Sequence, residues 1–150
     1  MNVPGTTRIR IEPQRTTLVS PDGSEVVAAT GFDTLAGGVF HHEPPQPAEL
    51  EQAIDLVEEA LMATHLPHAE RGDLVTSDPL LNALPGLRHP GARLTRDQIE
   101  ALFQQLAATS LGRPAGQSGL PEGRQSAAAL LILRERMHHL GYLAVRLGHA

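Results

Sequence analysis

The sequence contains no cysteine, no tryptophan and no lysine; its 12 strongly basic side chains are all arginine. Without cysteine there are no disulfides, no thiol nucleophile and no Cys-ligated zinc or iron–sulfur centre. Without lysine there is no Schiff-base chemistry on a protein amine and no phosphate-binding P-loop of the kind that needs its lysine. Positive charge is also short: 12 arginines against 17 acids give a net charge of −5 at neutral pH, which argues against a nucleic-acid partner. No run approaches the roughly 18 apolar residues of a membrane span, and the first residues lack the charged-then-apolar pattern of a secretory signal. These absences set the expectation of a cytoplasmic protein with neither membrane nor nucleic acid as partner.

What is present suits one globular domain. The chain has 150 residues, 41% of them hydrophobic, enough to bury roughly two-thirds of the surface its unfolded form exposes. Residues 1–7 read as a tail and 8–148 as a single domain. Arg8-Ile9-Arg10-Ile11 alternates charged and apolar, the period of a half-buried strand. Thr16–Val19 is a second β-rich run, Ser20-Pro21-Asp22-Gly23 a turn, and Glu25–Thr30 a third strand. After three prolines at 44, 45 and 47, Leu50, Ala53, Ile54, Val57 and Leu61 fall on one helical stripe, with the acids on the other side. That helix is expected to run to about Thr64. Leu74–Thr76 is a short strand, and Pro79–Leu84 one or two helical turns. Thr95-Arg96-Asp97-Gln98 is a capping box opening a helix whose buried stripe is Ile99, Leu102, Phe103 and Leu106. A Gly/Pro loop from Gly112 to Gly123 precedes a helix over Arg124–Leu140, ended by Gly141, and Tyr142–Leu147 closes the chain as a strand. The Gly37-Gly38 pair reads as an easing of the chain between strand and helix.

None of the side-chain constellations forms a recognisable catalytic centre. Three histidine groupings, His41-His42, His65/His68 and His138-His139, invite a metal reading. Zinc needs three or four convergent ligands, and adjacent helical histidines point about 100° apart, so no metal site is expected. No serine sits in a G-x-S-x-G turn, and no G-x-G-x-x-G or G-x-x-x-x-G-K-[ST] occurs. No residue is assigned a catalytic role.

The linear arrangement resembles the second, C-terminal actin-like half of the exopolyphosphatase/guanosine-pentaphosphate phosphohydrolase (Ppx/GppA) family. The likeness runs through Thr17–Ala28, then Leu35-Ala36-Gly37-Gly38-Val39-Phe40 into His42–Leu50. It continues in Gly91–Ile99 and in Gly119-Leu120-Pro121-Glu122-Gly123-Arg124, so it spans about Arg8 to Gly148. It implies an α/β fold with a ribonuclease H-like mixed sheet, in the order βββαβα(α)αβ. The family carries an Asp-Ile-Gly-Gly-Gly-Ser-type turn between its first two strands, whose backbone amides cradle phosphate. Arg10-Ile11-Glu12-Pro13-Gln14-Arg15 stands there instead, with no glycine, one proline lacking an N–H and one carboxylate. The second phosphate turn falls at Thr76-Ser77-Asp78-Pro79, also without glycine and with an added acid. The N-terminal half, which contributes a catalytic acid in the family, has no counterpart in these 150 residues.

The resemblance and its departures therefore imply a non-catalytic, stand-alone relative that binds or interacts, as a homodimer or with a protein partner, and needs no cofactor. The alternative is a residual phosphohydrolase or polyphosphate binder in which Arg10 and Arg15 hold phosphate in place of the lost amides. Magnesium enters only under that alternative.

Overall fold

In the computed structural model, which describes residues 6–148, the alternation at the start of the chain buries Ile9 and Ile11 and leaves Arg10 exposed. Strand β1 (Thr7–Ile11) therefore meets a core on one face only. Thr7 already belongs to it; residues 1–5 of the expected tail lie outside the described residues. β2 (Thr16–Val19) and β3 (Glu25–Ala28) complete an antiparallel meander. Their hairpin uses Gly23 at φ +88°, and Asp22 accepts both the amide and the hydroxyl of Ser24. β4 (Arg71–Thr76) and β6 (Tyr142–Leu147) run parallel to β1, and β5 (Arg93–Thr95) lies antiparallel to β6. The sheet order is β3-β2-β1-β4-β6-β5, the mixed sheet that the sequence implied with one edge strand added.

Five α-helices accompany it among the described residues: α1 (Phe32–Gly38), α2 (Pro47–Met62), α3 (Pro79–Asn82), α4 (Arg96–Ser110) and α5 (Arg124–Leu140). Two elements correct the expected order. The third strand stops at Ala28 because Gly31 caps α1, so Gly37-Gly38 forms the last turn of a helix rather than a strand-to-helix link. A seven-residue helix ending in two glycines has poor intrinsic propensity; burial of Leu35 and Ala36 and packing against α5 override it. β5 is the second correction. It forms because Leu94 pairs with Val145, a contact no local pattern announces.

The helix signals otherwise map onto the fold. Thr95 and Gln98 bond reciprocally, Thr95 Oγ1 accepting the Gln98 amide and Gln98 Oε1 the Thr95 amide. Gly141 takes φ +88° at the C-terminus of α5, where a Cβ would sit 2.0 Å from the Ala69 carbonyl oxygen. Helices α1, α2 and α4 surround α5, whose Ala127-Ala128-Ala129 run is buried among them.

The opposite face of the sheet carries a row in register across all six strands: Glu25, Val19, Arg8, Val75, Arg146 and Arg93. A second row adds Val27, Thr17 and Arg10. The core rows alternate with them: Ile9 with Leu18 lies between the two, and Leu74 with Val145 and Leu94 lies on the far side of the first, both facing the helices.

Glu49 shows how α2 is anchored. The sequence places it among the polar-side acids, yet it is buried, and its carboxylate accepts the amides of Gln46 and His41, each at 2.8 Å. His42 Nδ1 lies 3.0 Å from the same group. Burial alone would raise its pKa; the two amides and the imidazole outweigh that and hold it at about 2, against an ordinary 4.5. A carboxyl lowered on folding stabilises fully above its unfolded pKa and loses that contribution as pH falls through the folded value. Glu49→Gln is expected to cost about 1–2 kcal/mol at neutral pH. The gap between wild type and variant should close between about pH 5 and pH 2, read by urea denaturation across that range.

Candidate functional site

The two turns nominated for phosphate lie at the C-terminal ends of β1 and β4. In the first, Glu12 N donates to Arg15 O at 2.8 Å, closing a tight loop. That loop seats on the N-terminus of α1. Phe32 N donates to the Glu12 carbonyl at 3.0 Å, and Asp33 N and Thr34 N donate to the Pro13 carbonyl at 2.8 and 3.1 Å. The first amides of a helix are orphan donors at the positive end of its dipole, and anions are their usual guests. Here the chain's own carbonyl oxygens take them. Gly31 permits the approach: a Cβ there would lie 2.0 Å from Glu12 O and 2.5 Å from Arg15 N and Pro13 C. Thr34 Oγ1 locks the joint, accepting the Gly31 amide at 3.0 Å and donating to Gln14 Oε1 at 3.3 Å.

The second turn is filled by its own side chain. Asp78 caps α3, with Oδ1 accepting Leu80 N at 2.9 Å and Oδ2 accepting Ile11 N, from the end of β1, at 3.3 Å. The carboxylate thus draws one amide from the first turn and one from α3. Burial raises its pKa, and the amides of Leu80, Ile11 and Leu81 offset that only in part. Sequence reasoning took Asp78 as added negative charge; its place just before Pro79, a favoured first helical residue, is the signal that makes it a cap.

Arg10 and Arg15 flank this region, each engaged with a carboxylate. Arg10 Nη2 lies 3.0 Å from Glu25 Oε1 across the open sheet face. Arg15 grips Glu12 with Nε at 2.8 Å and Nη2 at 3.4 Å. The Arg15 hydrogen bonds, then the positive charges of Arg15 and Arg10, hold the Glu12 carboxyl below its ordinary range against a modest effect of burial.

A third cation reaches the start of β2, just beyond the first turn, from the core. Arg136 of α5 is 1% exposed, and its Nη2 donates to Thr16 O at 3.4 Å. Its Nε and Nη1 have no hydrogen-bond partner among the described residues. Burial pushes the guanidinium down to about 10. The sequence carried a signal for it, because Arg136 falls on the helical stripe of Ile132, Leu133 and Leu140.

Of the histidine groupings, His42 turns to Glu49, and the rings of His138 and His139 meet edge to face with centroids 5.5 Å apart. Among the described residues no helix is long and apolar enough to cross a membrane.

No protein-family model and no curated protein matches the sequence. Solved structures do match by fold. The Ppx/GppA phosphatase of Aquifex aeolicus aligns over 95% of this chain and 52% of its own, with a TM-score of 0.70 and 13% identity. An exopolyphosphatase-like protein aligns over 97% of this chain and 56% of its own, at TM-score 0.67 and 9% identity. An exopolyphosphatase from Cytophaga hutchinsonii gives 95% and 52%, at TM-score 0.64 and 11% identity. The chain spans about half the length of these proteins. In fold, then, it is an actin-like α/β unit similar to one half of a Ppx/GppA-type phosphatase.

Proposed function

We propose that this chain is a non-catalytic counterpart of the second Ppx/GppA half, acting as an interaction module through self-association. One observation carries the reading. The chain's own acceptors fill donors in and beside both turns: Ile11 N and Leu80 N bond the Asp78 carboxylate, Glu12 N bonds Arg15 O, Asp78 N bonds Thr76 Oγ1, and the α1 amides of Phe32, Asp33 and Thr34 bond Glu12 O and Pro13 O. Bound phosphate would have to displace acceptors covalently tethered in place, which need no further ordering on binding. The region also offers a carboxylate beside each of the flanking arginines, which repels an anion.

The surfaces support self-association by charge. The open sheet face gathers Arg8, Arg10, Arg93 and Arg146 against Glu25 and Asp73. Helix α2 presents Glu51, Asp55 and Glu59 outward at four-residue spacing, with Met62 exposed beyond them. Like charges at that spacing repel within a helix, and no basic residue in α2 relieves them. The arginine face of one copy complements the acidic stripe of a second. Light scattering at tens of micromolar is expected to give a species heavier than 16.0 kDa that dissociates as salt rises. Arg93→Glu should weaken it; a sharp monomer at low salt contradicts the self-association.

The alternative, in which Arg10 and Arg15 hold a polyphosphate chain with magnesium, predicts phosphate release from polyphosphate in the presence of Mg²⁺. The occupied turns predict none.

A further inference from the structure

Away from both turns, helices α2 and α5 bring together Glu58, Glu135 and His139, with one ligand atom from each within 4.8 Å of the others. We propose that these three residues form a binding site for a divalent transition cation of the zinc type. His139 Nε2 lies 3.1 Å from Glu58 Oε1 and 3.2 Å from Glu135 Oε2. A tetrahedron with bonds of about 2.0–2.2 Å has edges of about 3.3–3.6 Å, so these atoms already stand near the corners such an ion needs. Glu135 and His139 sit at i and i+4 on one helix face, the spacing at which two helical side chains share an ion, and Glu58 supplies the third donor from the facing helix.

Charge and valence favour the cation over a proton as the centre of this cluster. An imidazole Nε2 carries at most one hydrogen, so it can serve one carboxylate well or two poorly. An imidazolium brings one positive charge to two carboxylates, whereas a divalent ion matches both while Nε2 lends its lone pair. Glu135 is 1% exposed, and a buried carboxylate demands compensation. Its other oxygen is held by Arg134, which is itself fixed by Glu100 at 2.7 and 3.2 Å and stacked over Phe103 at 4.5 Å. The donor is thus aimed from behind, as ligating carboxylates are. Glu58 and His139 are about one-third exposed, which leaves an entry path and room for a water as fourth ligand. The imidazole selects zinc-like ions over magnesium or calcium, which prefer all-oxygen sites. The bound ion would tie α2 to α5.

The test is calorimetric titration of Zn²⁺ into the chelator-treated full chain at pH 7.5, with Mg²⁺ as a parallel arm. One Zn²⁺ per chain is expected, with a rise in melting temperature and no response to Mg²⁺. Affinity should fall about 10- to 100-fold in Glu58→Gln, which keeps side-chain shape at a surface position, and in His139→Ala, while His42→Ala leaves it unchanged. Co²⁺ should develop visible absorption bands that both site variants abolish. Zn²⁺ binding that is absent, or equally strong in Glu58→Gln and His139→Ala, overturns the proposal, the latter marking adventitious binding at other histidines.

Discussion

Gly31→Ala should cost the protein about 3 kcal/mol or more, among the largest effects of any single methyl group in this chain. Backbone strain is not the reason. Gly31 has φ −123° and ψ −175°, extended values open to any residue. The cost is contact: the new carbon would fall 2.0 Å from Glu12 O and 2.5 Å from Arg15 N, and both obstacles are backbone atoms that cannot swing aside. The β1–β2 turn would have to lift from α1, leaving the amides of Phe32, Asp33 and Thr34 without their carbonyls. Gly37→Ala is the internal control. Nothing lies within 4 Å of its added carbon, and alanine in place of a helical glycine should gain about 0.5–1 kcal/mol. Urea denaturation of the two variants separates the cases; equal effects would show that the turn does not seat on the helix.

Arg136→Met is expected to move stability the other way, raising it by about 1–3 kcal/mol at neutral pH. The guanidinium is buried, charged, and bonded only to Thr16 O at 3.4 Å among the described residues. Burying a charge without a partner costs more than one long hydrogen bond returns. Methionine keeps much of the length and flexibility of the side chain, so it can fill the space without a large cavity. The pH dependence has a definite sign. Burial lowers the folded pKa from 12.5 to about 10, so the charged form is penalised below that value and the penalty is relieved as pH rises through it. The stability gap between variant and wild type should therefore narrow above about pH 10. A net loss of stability in Arg136→Met at neutral pH would mean that the guanidinium is held by more than the Thr16 carbonyl.

Much of the sheet and most of the helices can be read from the chain directly, because their signals are local. Alternation at residues 8–11, the Pro-Asp-Gly turn, the Thr95/Gln98 box and Gly141 each encode their element within a few residues. Helix α1 and strand β5 cannot be read this way, since each is held by partners distant in the chain: α1 by the carbonyls of Glu12 and Pro13 and by α5, β5 by β6. The same divide runs through the site. Loss of glycine from both turns is visible in the sequence, but what replaces the anion is not. Glu12 and Pro13 act through backbone carbonyls, which every residue possesses. Asp78 and Glu49 did carry local signals, an acid before Pro79 and an acid three residues after Gln46, and both prove to be amide acceptors rather than surface charge. Glu58 joins Glu135 and His139 only because α2 packs on α5.

The reading without phosphate requires that the chain's own acceptors hold the amides in and beside the two turns. Titration of the isotope-labelled chain with tripolyphosphate and Mg²⁺, followed by amide resonances, tests this most directly. The amides of Ile11, Phe32, Asp33, Thr34 and Leu80 are expected to stay unshifted to millimolar ligand, with no phosphate released. Saturable shifts at those five amides, with or without turnover, would contradict it.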